Sequence, residues 1–175
     1  MRVVAGSARG RRLQAPPGRV MRPTGDRVRE AVFSTLTSLD AVAGATVADL
    51  FAGTGALGIE ALSRGASAAW FVERERRAVE TIRANLEATG FAGRATVVHG
   101  DALRWLDEAP TVDVAFADPP YAFDHWEALA TRLRAGLAVF ESDRTPPLGG
   151  RWEVLKVKRY GGTVVTVAHR KEGRP

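Results

Sequence analysis

The sequence predicts an α/β fold with a mostly parallel, doubly wound sheet that ends in an antiparallel hairpin. Between residues 24 and 141, short apolar runs of strand length alternate with amphipathic runs of helix length. This alternation is typical of parallel strands joined by crossover helices. A glycine-rich turn directly follows the first strand of the series, as it does in many doubly wound sheets. Two strand-like runs around Tyr160-Gly161-Gly162 predict the terminal hairpin.

Each element has a local signal in the chain. Residues 2–14 can form a short hairpin, and the segment "APPGRVMRPTG" is a turn-rich linker. The next helix begins at Thr24 or Asp26, since either side chain can cap it. Its apolar face consists of Val28, Val32, Leu36 and Leu39. The later segments are predicted as strand 46–51, helix 56–63, strand 68–73, helix 74–89, strand 95–98, short helix 101–106, strand 112–117, helix 124–134 and strand 136–141.

The composition is that of an ordinary globular domain. The chain has 175 residues, of which 45% are hydrophobic, enough for one domain with a substantial core. It has no cysteine, and its three histidines, His99, His125 and His169, lack the spacing of metal ligands. No apolar run approaches the roughly 20 residues that span a bilayer, and the N-terminus lacks the apolar region of a signal peptide. We therefore expect a cytoplasmic protein without a metal.

The positive charge of the chain lies at its two ends. Residues 1–30 carry eight arginines against two acidic residues, a local charge of +6 in a chain of net charge +5. The stretch from Arg151 carries seven basic residues against two acidic ones, which leaves −6 for the middle. This division suggests that the ends hold a polyanion, although a solubilising surface would have the same composition. We expect a basic arm and linker, 1–23, and a separate domain, 24–175, that stays folded when residues 1–14 are removed.

The segment "ADLFAGTGALGIEAL" predicts a nucleoside site. Gly53, Gly55 and Gly58 match G-x-G-x-x-G between a strand and a helix, and Glu73 ends the next strand, where its carboxylate can accept from ribose hydroxyls. Asp49 lies inside the strand, where a carboxylate would repel a pyrophosphate but could pair with an amino-acid ammonium. This favours S-adenosylmethionine over a dinucleotide. Two structural alternatives stay open: Gly58 can serve helix–sheet packing, and Asp49 can cap loop amides.

The segment "FADPPYAF" ends an apolar strand in a turn with many acceptors and few donors. Pro119 and Pro120 have no backbone N–H, and each proline holds the residue before it in an extended conformation. The carboxylate of Asp118, the carbonyls and the ring of Tyr121 suit a ligand that has N–H groups and a flat face. The alternative is a rigid exit from a core strand.

These motifs together resemble a known family. Asp49 with "FAGTG", Glu73, Asp101 and "DPPY" are similar to the class I methyltransferases that modify exocyclic amino groups, which have a Rossmann-like fold and use S-adenosyl-L-methionine. The segments "RPTGDRVREAVF" and "LFAGTGALGIEALSRGA" resemble the RsmD family, bacterial enzymes that methylate a guanine 2-amino group of small-subunit (16S) ribosomal RNA. The link 141–152 departs from the family, because a full crossover helix would be usual there.

The resemblance implies roles for individual residues. The cofactor site would consist of Asp49, Phe51, Gly53, Thr54, Gly55, Glu73, Arg74, Asp101, Ala102 and Asp118, with Glu73 at the ribose and Asp101 at the adenine amino group. The catalytic residues would be Asp118 and Pro119, which accept the two hydrogens of the target amino group, and Tyr121, which stacks on the extruded base. The RNA would be held by Arg2, Arg9, Arg11, Arg12, Arg22, Arg27 and Tyr121. Arg22, Thr24 and Arg27 could equally bind the carboxylate of the cofactor.

The family also implies 16S rRNA within an assembled small subunit as the substrate, and we expect a monomer. Four other functions remain to be distinguished. A DNA amino-methyltransferase normally carries a target-recognition domain, for which no segment is long enough. A protein glutamine methyltransferase would favour Asn in place of Asp118. A nicotinamide oxidoreductase leaves "DPPY" unexplained, and a non-catalytic RNA-binding module would not need a cofactor site.

Overall fold

Within residues 1–16 and 25–171, which the computed structural model describes, seven strands form one sheet and helices pack on both of its faces. The strands are β1 (Thr46–Leu50), β2 (Ala68–Glu73), β3 (Ala95–His99), β4 (Val112–Ala117), β5 (Ala135–Ser142), β6 (Trp152–Tyr160) and β7 (Thr163–Arg170). The helices are α1 (Gly25–Ser38), α2 (Ala56–Ser63), α3 (Arg76–Thr89), α4 (Ala102–Trp105) and α5 (Trp126–Arg132), with a 3₁₀ turn at Ala92–Arg94.

The order of the strands confirms the predicted doubly wound sheet. The order is β3-β2-β1-β4-β5-β7-β6, in which the first five strands are parallel and the last two pairs are antiparallel. The chain winds from β1 outward to β3 and then returns to place β4 on the other side of β1. This reversal leaves a crevice at the carboxyl ends of β1 and β4, which is where ligands bind in open α/β sheets.

Several predicted boundaries were wrong at their ends, each for a local reason. The first strand ends at Leu50, one residue early, because Phe51 turns out of the sheet with φ 59°. Helix α3 begins at Arg76 and α5 at Trp126, two residues later than predicted in each case. In each case the residues that drop out of the helix belong to the loop that leaves the preceding strand. The described link 143–151 contains no helix, as its length suggested.

Two apolar cores lie on opposite faces of the sheet. One contains Phe33, Phe71 and Phe116 beneath α1, α2 and α3, and the other contains Trp126 and Phe140 beneath α4 and α5. These side chains are buried or nearly so, and together they hold the helices on the sheet.

Gly58 belongs to the first of these cores. A Cβ added to Gly58 would lie 2.3 Å from the Phe71 ring, so the third glycine of the loop motif brings α2 against the sheet. Helix–sheet packing, the structural alternative for Gly58, is therefore confirmed.

The N-terminal strap, which we define as residues 1–16, is packed into the domain. Its hairpin is closed by an antiparallel bridge between Arg2 and Arg12, as predicted. The apolar residues between its arginines, Val3, Ala8 and Leu13, are buried in the core under α1 and α2. Because those residues complete one side of the core, the packing argues against the expectation that residues 1–14 can be removed from a folded domain.

A buried carboxylate fastens the strap to α2. Glu60 is fully buried, and its oxygens accept from the backbone amides of Val4 at 2.8 Å and Ala5 at 3.0 Å. Arg64 donates to it at 2.8 Å, and the Arg29 guanidinium of α1 lies 3.6 Å away. A buried carboxylate is tolerated only where cations and amide donors surround it. Glu60 thus joins the strap, α1 and α2 through one side chain.

Loss of this anchor is expected to destabilise the whole domain. Glu60→Gln removes the charge that faces buried Arg29, which costs about 3–5 kcal/mol where one partner of a buried ion pair is lost. Thermal unfolding followed by circular dichroism measures the effect. The matched control is Glu80→Gln, because Glu80 also pairs with an arginine one turn away, Arg76, but is exposed, and exposed pairs contribute little.

Deletion of residues 1–14 should be more damaging still, because it removes Val3, Ala8 and Leu13 from the core as well. A truncated protein that melts at the same temperature as the intact one would contradict this account of the strap.

Candidate functional site

The register of the sheet brings the predicted motifs to one edge. Leu50 at the end of β1 pairs with Val72 of β2 and Ala117 of β4, so Phe51, Glu73 and Asp118 leave the sheet side by side. Glu73 pairs with His99 of β3, which places the loop after β3 next in line. Four sequence segments that are far apart in the chain therefore meet at the carboxyl ends of the parallel strands.

A cavity of about 480 Å³ opens at this edge. Six of the predicted site residues line it, namely Phe51, Glu73, Arg74, Asp101, Ala102 and Asp118. The other lining residues are Val72, Glu75, Gly100, Leu103, Pro120, Ala122, Phe123, Asp124 and His125. The volume lies within the range of cofactor and small-molecule pockets, which runs from roughly 300 to 1,000 Å³.

The loop after β1 has an unusual backbone. Phe51, Gly53 and Gly55 all have positive φ, at 59°, 58° and 77°. Glycine adopts this conformation without strain, whereas a phenylalanine there is rare and costs on the order of 1–3 kcal/mol. The Phe51 ring packs edge-on against Phe123, with 5.3 Å between the ring centroids. Backbone strain of this kind is characteristic of functional sites.

Glu73 fixes that loop from the neighbouring strand. It is 9% exposed, and its Oε2 accepts from the Gly53 amide at 2.9 Å while its Oε1 accepts from the Glu75 amide at 2.8 Å. Each carboxylate oxygen can accept a second hydrogen bond. Glu73 therefore positions the glycine loop and still has acceptor capacity towards the cavity that it lines.

Asp49 is buried behind the loop. Its Oδ2 accepts from the Gly58 amide at 2.9 Å, so Asp49 holds the first turn of α2. This resembles the structural alternative for Asp49, capping of loop amides, except that the bonded amide belongs to the helix. Burial raises the pKa of Asp49 well above its usual value; the Gly58 hydrogen bond lowers it, and the charges of Asp118 and Glu73 raise it further. The charges of Asp118 and Glu73 thus act on Asp49, and a cation bound near them would offset this repulsion.

Asp101 stands at the start of α4. Its Oδ1 accepts from the Arg104 amide at 3.1 Å, which makes it the cap of that short helix. The adjacent Ala102 is buried and lines the cavity with it. The two residues predicted after the third strand are therefore both part of the cavity wall.

The loop after β4 forms a tight turn beside the cavity. The Phe123 amide donates to the Pro120 carbonyl at 2.9 Å, and the described peptide bonds of the turn are trans. Asp118 is exposed at the cavity, Pro119 is buried, and Tyr121 is 54% exposed. The turn therefore presents a carboxylate and an aromatic ring to solvent next to the cavity.

Not every predicted residue lines the cavity. Asp49, Gly53, Thr54 and Gly55 lie behind its wall or in the loop beside it, and Pro119 and Tyr121 lie in the turn next to it. The sequence reasoning missed Phe123, which is half-buried between Phe51 and Trp126 with its ring centroid 5.1 Å from that of Trp126. The second aromatic of "DPPYAF" was the available signal for it.

A second missed residue lies on α3. Asn85 is fully buried, and its Nδ2 donates to the Thr54 carbonyl at 2.9 Å. Nothing in the sequence pattern singled it out, because one asparagine on the inner face of a helix has no recognisable motif around it.

The arginines predicted to bind RNA have different surroundings. Arg9 and Arg12 are exposed on the strap, and Arg27 is exposed at the start of α1. Arg2 donates to the Gly10 carbonyl and Arg11 to the Ala88 carbonyl, so each also braces the strap. Arg22 and Thr24 lie outside the described residues.

Neither a group of metal ligands nor a membrane-spanning helix occurs in the described part of the chain. No three of its His, Cys, Asp or Glu residues are grouped so as to hold a metal ion. None of the helices described is both long and apolar enough to cross a membrane.

Comparisons with known proteins agree with this geometry. The family model described as "Conserved hypothetical protein 95" matches residues 1–169. The chain is 36% identical to "Putative rRNA methyltransferase YlbH" of Bacillus subtilis, over 99% of this chain and 100% of that protein. It is 33% identical to "Ribosomal RNA small subunit methyltransferase D" of Haemophilus influenzae, over 92% of this chain and 89% of that protein.

A solved structure extends the similarity to three dimensions. It is titled "Putative methyltransferase yhhF from Escherichia coli", and it matches with a TM-score of 0.86 and 32% identity over 99% of both chains. With a family model that covers nearly the whole sequence and relatives that match along their length, the chain belongs to the RsmD family of S-adenosylmethionine-dependent rRNA methyltransferases.

Proposed function

We propose that this protein transfers a methyl group to the exocyclic 2-amino group of a guanine in small-subunit (16S) ribosomal RNA. The observation that carries the proposal is the turn after β4, where Asp118 and Tyr121 stand exposed beside a cavity lined by acidic and aromatic residues. An amino group on a flat base suits this combination of a carboxylate, carbonyls and a ring. The name of the Haemophilus influenzae relative supports the choice of small-subunit RNA.

The residues present fit S-adenosyl-L-methionine. Glu73 has acceptor capacity for ribose hydroxyls, and Asp101 can accept from an adenine amino group at the cavity wall. The carboxylates of Glu73 and Asp118, which line the cavity, favour a ligand with positive charge, and Asp49 lies buried behind the loop. When bound, this cofactor supplies a methyl group on a positively charged sulfur, which is electrophilic. Phe51, Gly53, Thr54, Gly55, Arg74 and Ala102 complete the site that we propose.

The turn after β4 would prepare the target nitrogen. The lone pair of a base amino group is delocalised into the ring, so it must be localised before it can attack a methyl carbon. The Asp118 carboxylate and the Pro119 carbonyl each accept one amino hydrogen and orient the nitrogen. Such positioning can contribute about 7–11 kcal/mol. The released proton passes to Asp118 or to water.

Tyr121 would hold the base outside its stack. The residue is 54% exposed, in the turn beside the cavity. Extrusion of a base costs a few kcal/mol, and one aromatic contact recovers about 1–3 kcal/mol of it.

The exposed arginines of the strap and of α1 are proposed to contact RNA phosphates. Arg9, Arg12 and Arg27 are exposed, and Arg2 and Arg11 lie on the same strap. We propose that the enzyme acts as a cytoplasmic monomer, without a metal, on 16S rRNA within an assembled small subunit. The basic residues of the β6–β7 hairpin, Lys156, Lys158 and Arg159, are a second candidate surface for RNA.

The decisive experiment is methyl transfer to ribosomal subunits that lack the modification. We expect label from S-adenosylmethionine to appear in 16S rRNA as N2-methylguanosine when the nucleosides are separated by chromatography and mass spectrometry. Label in DNA, in protein glutamine or in another nucleoside would overturn the proposed substrate. Calorimetric titration with S-adenosylhomocysteine and with NADH, performed without RNA, tests the cofactor separately.

Substitutions in the turn after β4 should separate turnover from cofactor binding. Asp118→Ala loses an acceptor for the amino group and Tyr121→Ala loses the stacking face, so we expect turnover to fall by at least tenfold in each. Affinity for S-adenosylhomocysteine should stay within a few-fold in Tyr121→Ala. Tyr121→Phe is the matched control and should stay active, because stacking needs only the ring. Full activity in Asp118→Ala would show that the catalytic centre lies elsewhere.

Substitutions on the strap should change the salt dependence of RNA binding without unfolding the protein. Each phosphate contact contributes a slope of about −0.7 to −0.9 in log K against log salt. Arg9→Ala with Arg12→Ala should flatten that slope, as measured by filter binding at several salt concentrations. The control is Arg132→Ala on α5, on the opposite face of the sheet. An unchanged slope in the double variant would assign RNA docking to the β6–β7 hairpin.

A further inference from the structure

Asn85 makes contact with two segments that serve different parts of the proposed reaction. Its Oδ1 accepts from the Gln14 amide at 2.7 Å, and its Nδ2 donates to the Gln14 carbonyl at 3.0 Å. The same Nδ2 donates to the Thr54 carbonyl at 2.9 Å. Gln14 belongs to the strap and Thr54 to the glycine loop, so one buried side chain joins the two.

Only a carboxamide can make this set of contacts. An amide side chain has two N–H donors and a carbonyl acceptor, and Asn85 uses both donors and the acceptor. An aspartate would place negative charge against two carbonyl oxygens, and an apolar residue would remove the side-chain partner of three part-buried backbone groups. If Asn85 served only to pack α3, its side chain would not need to bond both the strap at Gln14 and the glycine loop at Thr54.

The glycine loop is therefore held between two side chains. Glu73 binds the Gly53 amide from β2, and Asn85 binds the Thr54 carbonyl from α3. The loop backbone has positive φ at Phe51, Gly53 and Gly55. Its Ala52 and Gly55 amides are bonded to backbone carbonyls, whereas the Gly53 amide and the Thr54 carbonyl are bonded to these two side chains. A ligand that shifts or steadies Thr54 must act on the Asn85 side chain, and through it on Gln14.

The first half of the strap hairpin is fixed by a different side chain. Glu60 holds the amides of Val4 and Ala5, at a site far along the strap from Gln14. Cofactor binding at the loop can therefore change the order of the strap near Gln14 while Val4 and Ala5 stay in place.

We propose that Asn85 is a positioning residue that couples the cofactor loop to the RNA-binding strap. When the cofactor site is occupied, the motion of Thr54 is reduced. Through the Asn85 side chain the motion of Gln14 is reduced as well, so the arginines of the strap are held in one arrangement. Cofactor and RNA then strengthen each other's binding. The inference rests on the proposed function, since it takes the strap as an RNA surface and the loop as a cofactor surface.

Hydrogen exchange on the unmodified protein tests the contact without any substitution. The Gln14 amide, which donates to Asn85, should exchange several-fold more slowly when S-adenosylhomocysteine is bound. The Gly10 amide, which donates to Val3 within the strap hairpin at 2.8 Å, and the Val4 amide at Glu60 are internal controls and should change little. Protection of all three alike, or of none, would overturn the proposal.

Coupling is measured by the affinity of small ribosomal subunits with and without S-adenosylhomocysteine. Coupled sites typically alter each other's affinity by about 5–150-fold, and the effect is reciprocal. We expect at least fivefold in the unmodified protein and close to onefold in Asn85→Ala. Asn85→Asp should also uncouple, because it keeps the acceptor for the Gln14 amide but loses the donor to Thr54.

The matched control is Thr89→Val, one turn further along α3. Its Oγ1 bonds only to the Asn85 and Leu86 carbonyls of the same helix, so the variant disturbs α3 but should keep the coupling. If Asn85→Ala retains the coupling factor, the inference fails while the proposed function stands. If the unmodified protein binds neither S-adenosylhomocysteine nor the subunits, the proposed function itself fails, and this inference fails with it.

Discussion

The carboxylate of Glu73 is the contact on which the geometry of the site depends. Glu73 is the last residue of β2, and its two carboxylate oxygens accept from the amides of Gly53 and Glu75. It therefore positions both the loop after β1 and the residues that lead into α3. The Gly55 amide donates to the Ala52 carbonyl within the loop, whereas the Gly53 amide has the Glu73 carboxylate as its acceptor. The buried carboxylate in turn needs donors because its desolvation is costly. The Gly53 amide and the Glu73 carboxylate therefore satisfy each other's hydrogen-bonding needs at the wall of the cavity.

The sequence predicted the sheet well because its strands are continuous apolar runs bounded by glycines, prolines or charged residues. It could also place Glu73, Asp101 and Asp118 at one edge, since the ends of parallel strands meet there. It could not predict which residues close the cavity, because Phe123 and His125 arrive through the turn after β4. The role of Asn85 could not be predicted either, because its hydrogen-bond partners are backbone groups of segments far away in the chain.

The many arginines of the strap made its buried apolar residues hard to recognise from the sequence. Its many arginines suggested an extension that projects into solvent, but Val3, Ala8 and Leu13 recur among them and are buried. The signal was weak because these residues are few and follow neither the helical nor the strand period. Gly6 reinforces the point, since an added Cβ there would lie 1.9 Å from the Ser63 carbonyl oxygen. The same segment therefore completes the core with one side and offers arginines on the other.

The two anchors of the strap differ in kind, and the difference follows from what each one holds. Glu60 is charged and joins the strap to α1 and α2, where Arg29 and Arg64 balance it. Asn85 is neutral and joins the strap to the loop, whose Gly53 amide is bound by the Glu73 carboxylate. A charged anchor at Asn85 would alter the field that favours a cationic ligand. A neutral amide can link the two segments without changing the charge of the site. The strap and the loop are thus joined by hydrogen bonds, and the electrostatic field at the cofactor site is left unchanged.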